Sequence, residues 1–184
     1  VNDNIEILDE EALLRAGSLL SDANQKVTVY QKAVEKFNSD RAKINLSVAY
    51  LALNKNAEAE QALAGVADKG NTYYNNAAGV VELRKGNNDA AVAAFNKSGL
   101  KEAQYNLAVV DILNGKYADA ASKLKGANSF NEALVNILNG DLNAASNILA
   151  DAKCQCKNYL KAIIAARQGD VEAAKAALEI ASKD

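Results

Sequence analysis

The 184-residue chain contains no proline, histidine, methionine or tryptophan. Proline costs roughly 3 kcal/mol inside a helix and alanine is the best helix former, so a proline-free, alanine-rich chain favours unbroken helices. Without histidine the commonest general base is missing. With only two cysteines, a four-ligand zinc site cannot be assembled from Cys and His. The glycines stand singly rather than in phosphate-cradling loops. No long run of like charge occurs, and 21 basic against 23 acidic side chains give a net −2. That balance argues against nucleic acid and anionic membrane surfaces, which reward a concentrated basic patch. No apolar stretch approaches the ~20 residues that span a bilayer. The opening VNDNIEILDEE is too acidic for a signal peptide and lacks an initiator methionine. We expect a trimmed or processed segment, with any targeting signal outside it.

What is present is 49% hydrophobic and 24% charged residues, enough for one domain or one stack of repeats with a buried core. Four phrases nearly repeat: KGNNDAAVAAF (85–95), NGKYADAASKL (114–124), NGDLNAASNIL (139–149) and QGDVEAAKAAL (168–178). Glycine stands second in each, small residues cluster near the sixth and seventh places, and a large apolar residue is eleventh. Gly86, Gly115, Gly140 and Gly169 are 29, 25 and 29 residues apart. Periods of about 20–50 residues mark solenoids, and the difference of four is close to one helical turn of about 3.6 residues.

A helical apolar pattern precedes each glycine, as in Tyr105, Ala108, Val109, Ile112 and Leu113, and another follows it, as in Tyr117, Ala120, Ala121 and Leu124. The glycines fall where one helix must stop and only glycine turns left-handed without strain. Asn88, Asp141 and Asp170 are placed to start the next helix. Ala90/Ala91, Ala120/Ala121, Ala144/Ala145 and Ala173/Ala174 would let paired helices approach. Phe95, Leu124, Leu149 and Leu178 would fill the space between neighbouring pairs. A lone pair cannot bury its apolar face, whereas stacked pairs can.

These features resemble the tetratricopeptide repeat (TPR), over about residues 25 to 184. Gly79, Gly86, Ala91 and Phe95 match the family pattern in one repeat. Ala108, Gly115, Ala120 and Leu124 match in the next, and Ala162, Gly169, Ala174 and Leu178 in the last. Ala133, Gly140, Ala145 and Leu149 form a short version. Residues 41–63 read as a degenerate copy with Ala49 in the small-residue place and a shortened turn, and residues 30–40 as a second helix and its exit. The closing proline of the family repeat is missing, with Asn38 in one such place, and the repeats are shorter than the family's. The resemblance implies an all-α α-solenoid of about five to six stacked antiparallel hairpins forming a single domain over 1–184. A hairpin would cover 1–40, and repeats 41–66, 72–98, 100–127, 129–152 and 155–184. Residues 105–124 with 159–170 are also similar to repeat segments of Bacteroides-type cell-envelope proteins, which implies a bacterial envelope or periplasmic location.

Little chemistry is in view. Scattered carboxylates such as Glu58 and Glu60 read as solvated helix faces. Cys154 and Cys156 in KCQCK, flanked by Lys153 and Lys157, read as incidental thiols or a local disulfide. A redox or inter-chain role is the alternative, because the lysines would favour thiolate. Asn45-Leu-Ser47 and Asn96-Lys-Ser98 match the glycosylation triplet by chance. No cofactor, metal or catalytic activity is expected.

In the family, the first helix of each pair lines a concave groove where partners bind. That register places Tyr73, Asn76, Val80 and Arg84 in the groove, then Glu102, Tyr105, Val109 and Leu113, then Phe130, Leu134 and Leu138, then Tyr159, Ile163 and Arg167. Val80, Val109, Leu134 and Ile163 stand where a grip on a terminal carboxylate would want polar donors, which disfavours that mode. Either short repeats coil tightly and bury this column as core, or it forms an apolar trough for an amphipathic helix or a neighbouring domain. The function expected is a non-catalytic protein-interaction scaffold. The alternatives are a glycan-type small-ligand module using Tyr73, Tyr74, Tyr105 and Tyr159 as stacking platforms, or a structural spacer in an envelope protein.

Overall fold

The computed structural model describes residues 8–153 and 157–183, and every regular element among them is an α-helix. In chain order these are α1 (Glu10–Leu19), α2 (Ala23–Phe37), α3 (Asp40–Ala52), α4 (Asn56–Ala64), α5 (Thr72–Arg84) and α6 (Asn88–Ser98). They continue with α7 (Lys101–Leu113), α8 (Tyr117–Leu124), α9 (Ser129–Leu138), α10 (Leu142–Ala150), α11 (Lys157–Arg167) and α12 (Val171–Ala181). The chain divides into two compact units, Val1–Asn106 and Leu107–Asp184, with α7 running through the division. None of the described helices is long and apolar enough to cross a membrane.

The repeated phrase is a repeated backbone device. Gly86, Gly115, Gly140 and Gly169 all take positive φ, between 72° and 84°. The amide after each donates to the carbonyl five residues back: Asn87 to Glu82, Lys116 to Asp111, Asp141 to Asn136 and Asp170 to Ala165, at 2.8–2.9 Å. This is the Schellman closure, in which a left-handed residue lets the chain reverse while satisfying an orphan carbonyl. A fifth copy sits at 53–63, where Asn54 (φ 58°) replaces glycine and the Lys55 amide donates to the Tyr50 carbonyl at 3.0 Å. Asparagine tolerates the left-handed well better than other side chains, so this turn is conserved in geometry though not in residue type.

The second helices start in two ways. Asp141 and Asp170 accept hydrogen bonds from the Ala144 and Ala173 amides, both at 2.9 Å, which is side-chain capping. In α6 the capping position falls to Asn87 rather than Asn88, and the Asn87 side chain makes no cap bond. Its amide nitrogen instead donates to the Glu82 carboxylate. First helices are capped by Ser39, Asn71 and Asn128.

In the first unit α1–α2, α3–α4 and α5–α6 pack as hairpins, and α3 lies beside α5. One core joins Leu13, Leu14, Val27, Tyr30, Ala33 and Leu46; the next joins Ile44, Leu51, Ala59, Leu63, Ala77 and Val81. Close approach depends on missing side chains. A Cβ on Gly79 would lie 2.5 Å from the fully buried Phe95 ring, and one on Gly17 would lie 2.3 Å from the Tyr30 ring. In the second unit α9–α10 and α11–α12 are hairpins, α8 packs on α9, and α9 lies beside α11. Their core gathers Ala133, Ile137, Ala145, Leu149, Leu160 and Ile164. The shorter glycine spacing is met by α8 and α9, of 8 and 10 residues, where α6 and α7 have 11 and 13. Ala120, Ala133 and Ala145 are nevertheless all fully buried, so the shortened repeat keeps its inward face.

Candidate partner-binding surface

The groove register can be followed helix by helix. On α5, Tyr73 is exposed, Asn76 is half-buried, and Val80 packs against the core of Ile44, Leu51 and Val81. The Asn106 side-chain amide donates to Asn76 Oδ1 at 3.0 Å, fixing both side chains. Arg84 is already engaged: its guanidinium donates to the Leu51 carbonyl (2.8 Å), Asn54 Oδ1 (3.0 Å) and Asn56 Oδ1 (3.1 Å). A cation there satisfies a carbonyl at the end of α3 and holds the αL asparagine turn. Arg167, at the matching place on α11, likewise donates to the Ile137 carbonyl near the end of α9. Sequence alone marks both arginines as groove cations; the structure commits these donors to tying one repeat to the one before it.

In α7, Glu102 is exposed and Tyr105 is half-buried, with the Lys101 ammonium 5.7 Å from the ring centroid. Further along, Val109 and Leu113 are exposed, one helical turn apart, while Leu107, Ala108 and Val110 are buried. In the second unit Phe130, Leu134 and Ile163 are half-buried against the core, Leu138 is half-buried, and Tyr159 is exposed. The apolar column is therefore neither sealed nor fully open. Val80 contributes to the first unit's core and Leu134 and Ile163 to the second's, and Val109, Leu113 and Tyr159 are left in solvent.

The first unit also has a cavity of about 340 Å3 between α3 and α5, lined by Arg41, Ile44, Asn45, Asn71 and Tyr73. Apart from Tyr73, these residues were not picked out by the groove register. Asn71 accepts from the Tyr73 and Tyr74 amides as the helix cap, and Arg41 pairs with Glu11 at 3.0 Å on the surface. The only sequence signal for the site is the N-cap role of Asn71, since a cavity formed by two helices 30 residues apart has no local motif.

Charge serves turns and loops. Backbone amides of Ala67 and Asp68 donate to the Asp40 carboxylate, at 2.8 Å each, and hold its pKa below the usual range. Asn87 and Lys85 do the same for Glu82, while Glu60 and Glu82 raise the Lys85 ammonium. Among the described residues no group of three or more His, Cys, Asp or Glu side chains could hold a metal ion. Cys154 and Cys156 lie outside the described residues. Neither glycosylation triplet offers an open hydroxyl in the folded chain. Ser47 is fully buried, and Ser98 is buried with its hydroxyl donating to the Thr72 carbonyl at 2.8 Å.

No family model and no curated protein matches the chain. Solved structures do. A tetratricopeptide repeat protein from Parabacteroides merdae aligns at 13% identity with TM-score 0.69, over 100% of this chain and 80% of its own. PilW, a widely conserved type IV pilus biogenesis factor, aligns at 18% identity with TM-score 0.74, over 96% of this chain and 91% of its own. A chain of the APC/C hetero-tetramer Cut9-Hcn1 aligns at 12% identity with TM-score 0.78, over 98% of this chain and 41% of its own. The fold is that of the tetratricopeptide α-solenoids, as the repeated phrases imply.

Proposed function

We propose that the chain is a non-catalytic interaction scaffold that takes an apolar protein segment on its first helices. One observation carries this reading. Of the exposed large apolar residues, Val48, Tyr73, Val109, Leu113 and Tyr159 lie on first helices, and none lies on the second helices α4, α6, α8 or α10. Scattered exposure needs no explanation, but from α3 to α11 it is confined to first helices, which marks a working face; the last second helix, α12, also exposes Val171, Leu178 and Ile180. In the second unit Val109 and Leu113, with the half-buried Leu134, Leu138 and Ile163, supply apolar anchors beside Phe130 and Tyr159; in the first, by itself, Tyr73, Asn76 and Tyr105 supply aromatic and amide contacts. Arg84 and Arg167 contribute by holding the repeats in register. An amphipathic helix with anchors three to four residues apart fits such a face. The fold likeness to PilW, with the resemblance to envelope repeat segments, supports a place in a bacterial cell envelope.

The test is a displayed library of amphipathic peptides selected against the full chain, followed by titration calorimetry. We expect a selected peptide to bind with micromolar Kd and to lose at least tenfold in affinity with Val109→Asn/Leu113→Asn, helicity unchanged. Selected peptides indifferent to that double variant would sink the reading.

A small-ligand reading draws on the Arg41–Tyr73 cavity, whose amides and exposed ring suit hydroxyl-rich ligands. A glycan array, with tyrosine fluorescence read against Tyr73→Ala, tests it. No tyrosine-dependent signal on any glycan rejects it.

A further inference from the structure

Of the five turns that share the Schellman closure, two carry asparagine directly before the glycine: Asn114-Gly115 after α7 and Asn139-Gly140 after α9. The others read Lys85-Gly86, Gln168-Gly169 and, without glycine, Asn54-Lys55. An Asn-Gly bond is a reactive pair. The glycine nitrogen can attack the asparagine Cγ, and no Cβ on the glycine screens that nitrogen or restricts its approach. Both pairs are exposed, and a Cβ built on either glycine would meet nothing within 4 Å, so water reaches them freely.

Geometry holds the reaction back. Ring closure requires the glycine nitrogen to eclipse the asparagine Cβ about the Cα–C bond. Asn139 has φ −74° and ψ −8°, which eclipses that nitrogen with the residue's own amide nitrogen instead. The Gly140 amide also donates to the Ile137 carbonyl at 3.2 Å, and the Asp141 amide to Asn136 at 2.9 Å. At the other turn the Gly115 and Lys116 amides donate to Ile112 (3.0 Å) and Asp111 (2.8 Å) in the same pattern. We propose that Asn114 and Asn139 are sites of self-modification, deamidation through a cyclic imide, shut while their turn is closed and admitted when it opens. The glycine nitrogen gives its proton to hydroxide and bonds to Cγ. The bond from Cγ to the side-chain nitrogen breaks, and ammonia leaves with a proton from water. Water then adds to the imide and cleaves one of its two C–N bonds. Cleavage at Cγ leaves aspartate; cleavage at the backbone carbonyl leaves isoaspartate, with one more carbon in the main chain. Either product puts a negative charge at a helix C-terminus, where the dipole opposes it. Isoaspartate also lengthens the chain inside the closure, so the modified turn stays open at the end of a first helix, next to Leu113 or Leu138.

The experiment incubates the full chain at neutral pH and body temperature, folded and in denaturing guanidinium. Peptide mapping by mass spectrometry follows, with aspartate and isoaspartate products separated chromatographically. We expect both sites to react in the unfolded chain and at least tenfold more slowly in the folded one. Asp141→Ala removes the cap beside one turn only, so it should speed Asn139 severalfold and leave Asn114 at its parent rate. Equal rates in the folded and unfolded chain overturn the proposal, as does no reaction in the unfolded chain. An equal effect of Asp141→Ala on both sites, acceleration or none, overturns it too, because the gate is then not the local turn. The folded chain modified at Asn139, separated by its added charge, should melt below the parent. Superposing melts would show that the turn survives modification and would overturn the proposal.

Discussion

Ser47 lies fully buried on α3, and its hydroxyl has no hydrogen-bond partner among the described residues. A buried polar group left unpaired costs about 1–3 kcal/mol. Ser47→Ala should therefore leave stability unchanged or raise it by about 1 kcal/mol in urea melts; a clear loss would mean the hydroxyl is satisfied in solution. Gly79 gives the opposite case. Its place beside the Phe95 ring is filled at 2.5 Å, so Gly79→Ala must displace a side chain with no free volume around it. Overpacking of this kind costs about 1–3 kcal/mol, and the better helix propensity of alanine recovers about 1 kcal/mol at most. We expect net destabilisation, with an equal or higher urea midpoint counting against the packing seen at Phe95. Glycine in the small-residue place was legible in the sequence. The empty hydroxyl partner of Ser47 was not, because satisfaction depends on atoms brought from elsewhere in the fold.

At the scale of elements, the five turns share one backbone closure but differ in how the following helix is capped. Asp141 and Asp170 cap with their carboxylates, whereas Lys55, Asn87 and Lys116 make no side-chain cap bond. Removing a capping side chain costs about 1 kcal/mol, within a range of about 0.5–2. Asp141→Ala and Asp170→Ala should each lower stability by that amount, and Lys116→Ala by much less, as read by chemical denaturation. Equal losses at all three would place the effect in helix-dipole charge or propensity instead. The aspartates were readable as helix starts from the phrase alone. Asn88 was read one residue late, since Asn87 follows the left-handed glycine directly and takes the cap position. The turn at 53–55 reads as shortened in sequence but closes like the others, because the backbone conformation of Asn54, rather than its residue type, matches glycine.

At the scale of the molecule, acid sensitivity is unevenly placed. Asp40 and Glu82, whose folded carboxyls titrate below their ordinary range, both belong to the first unit. A carboxylate depressed on folding contributes stability above its unfolded pKa, and that contribution is lost as pH falls through the folded value. Hydrogen exchange between neutral pH and mildly acidic conditions should leave both amide sets protected. Below the usual carboxylate range, the Ala67 and Asp68 amides held by Asp40 should lose protection first, along with the turn at 85–87. Protection lost uniformly across 8–153 and 157–183 would mean these carboxylates have no local part. Nothing in the composition marks this asymmetry, because acidic residues are spread along the whole chain.

What the sequence determined by itself is the unit and its repetition. Left-handed glycines, small residues at the helix crossing and large ones four places later are local requirements, and each recurs because each hairpin faces the same steric problem. The tertiary structure alone decided which copies of the same residue stay in solvent. Leu149 and Leu178 occupy the same place in the same phrase, yet a helix covers the first and none of the described residues buries the second. Arg84 and Arg167 are likewise engaged by carbonyls about 30 residues away. Burial and hydrogen bonding are properties of what comes to lie alongside a residue, and that is settled only when the helices stack.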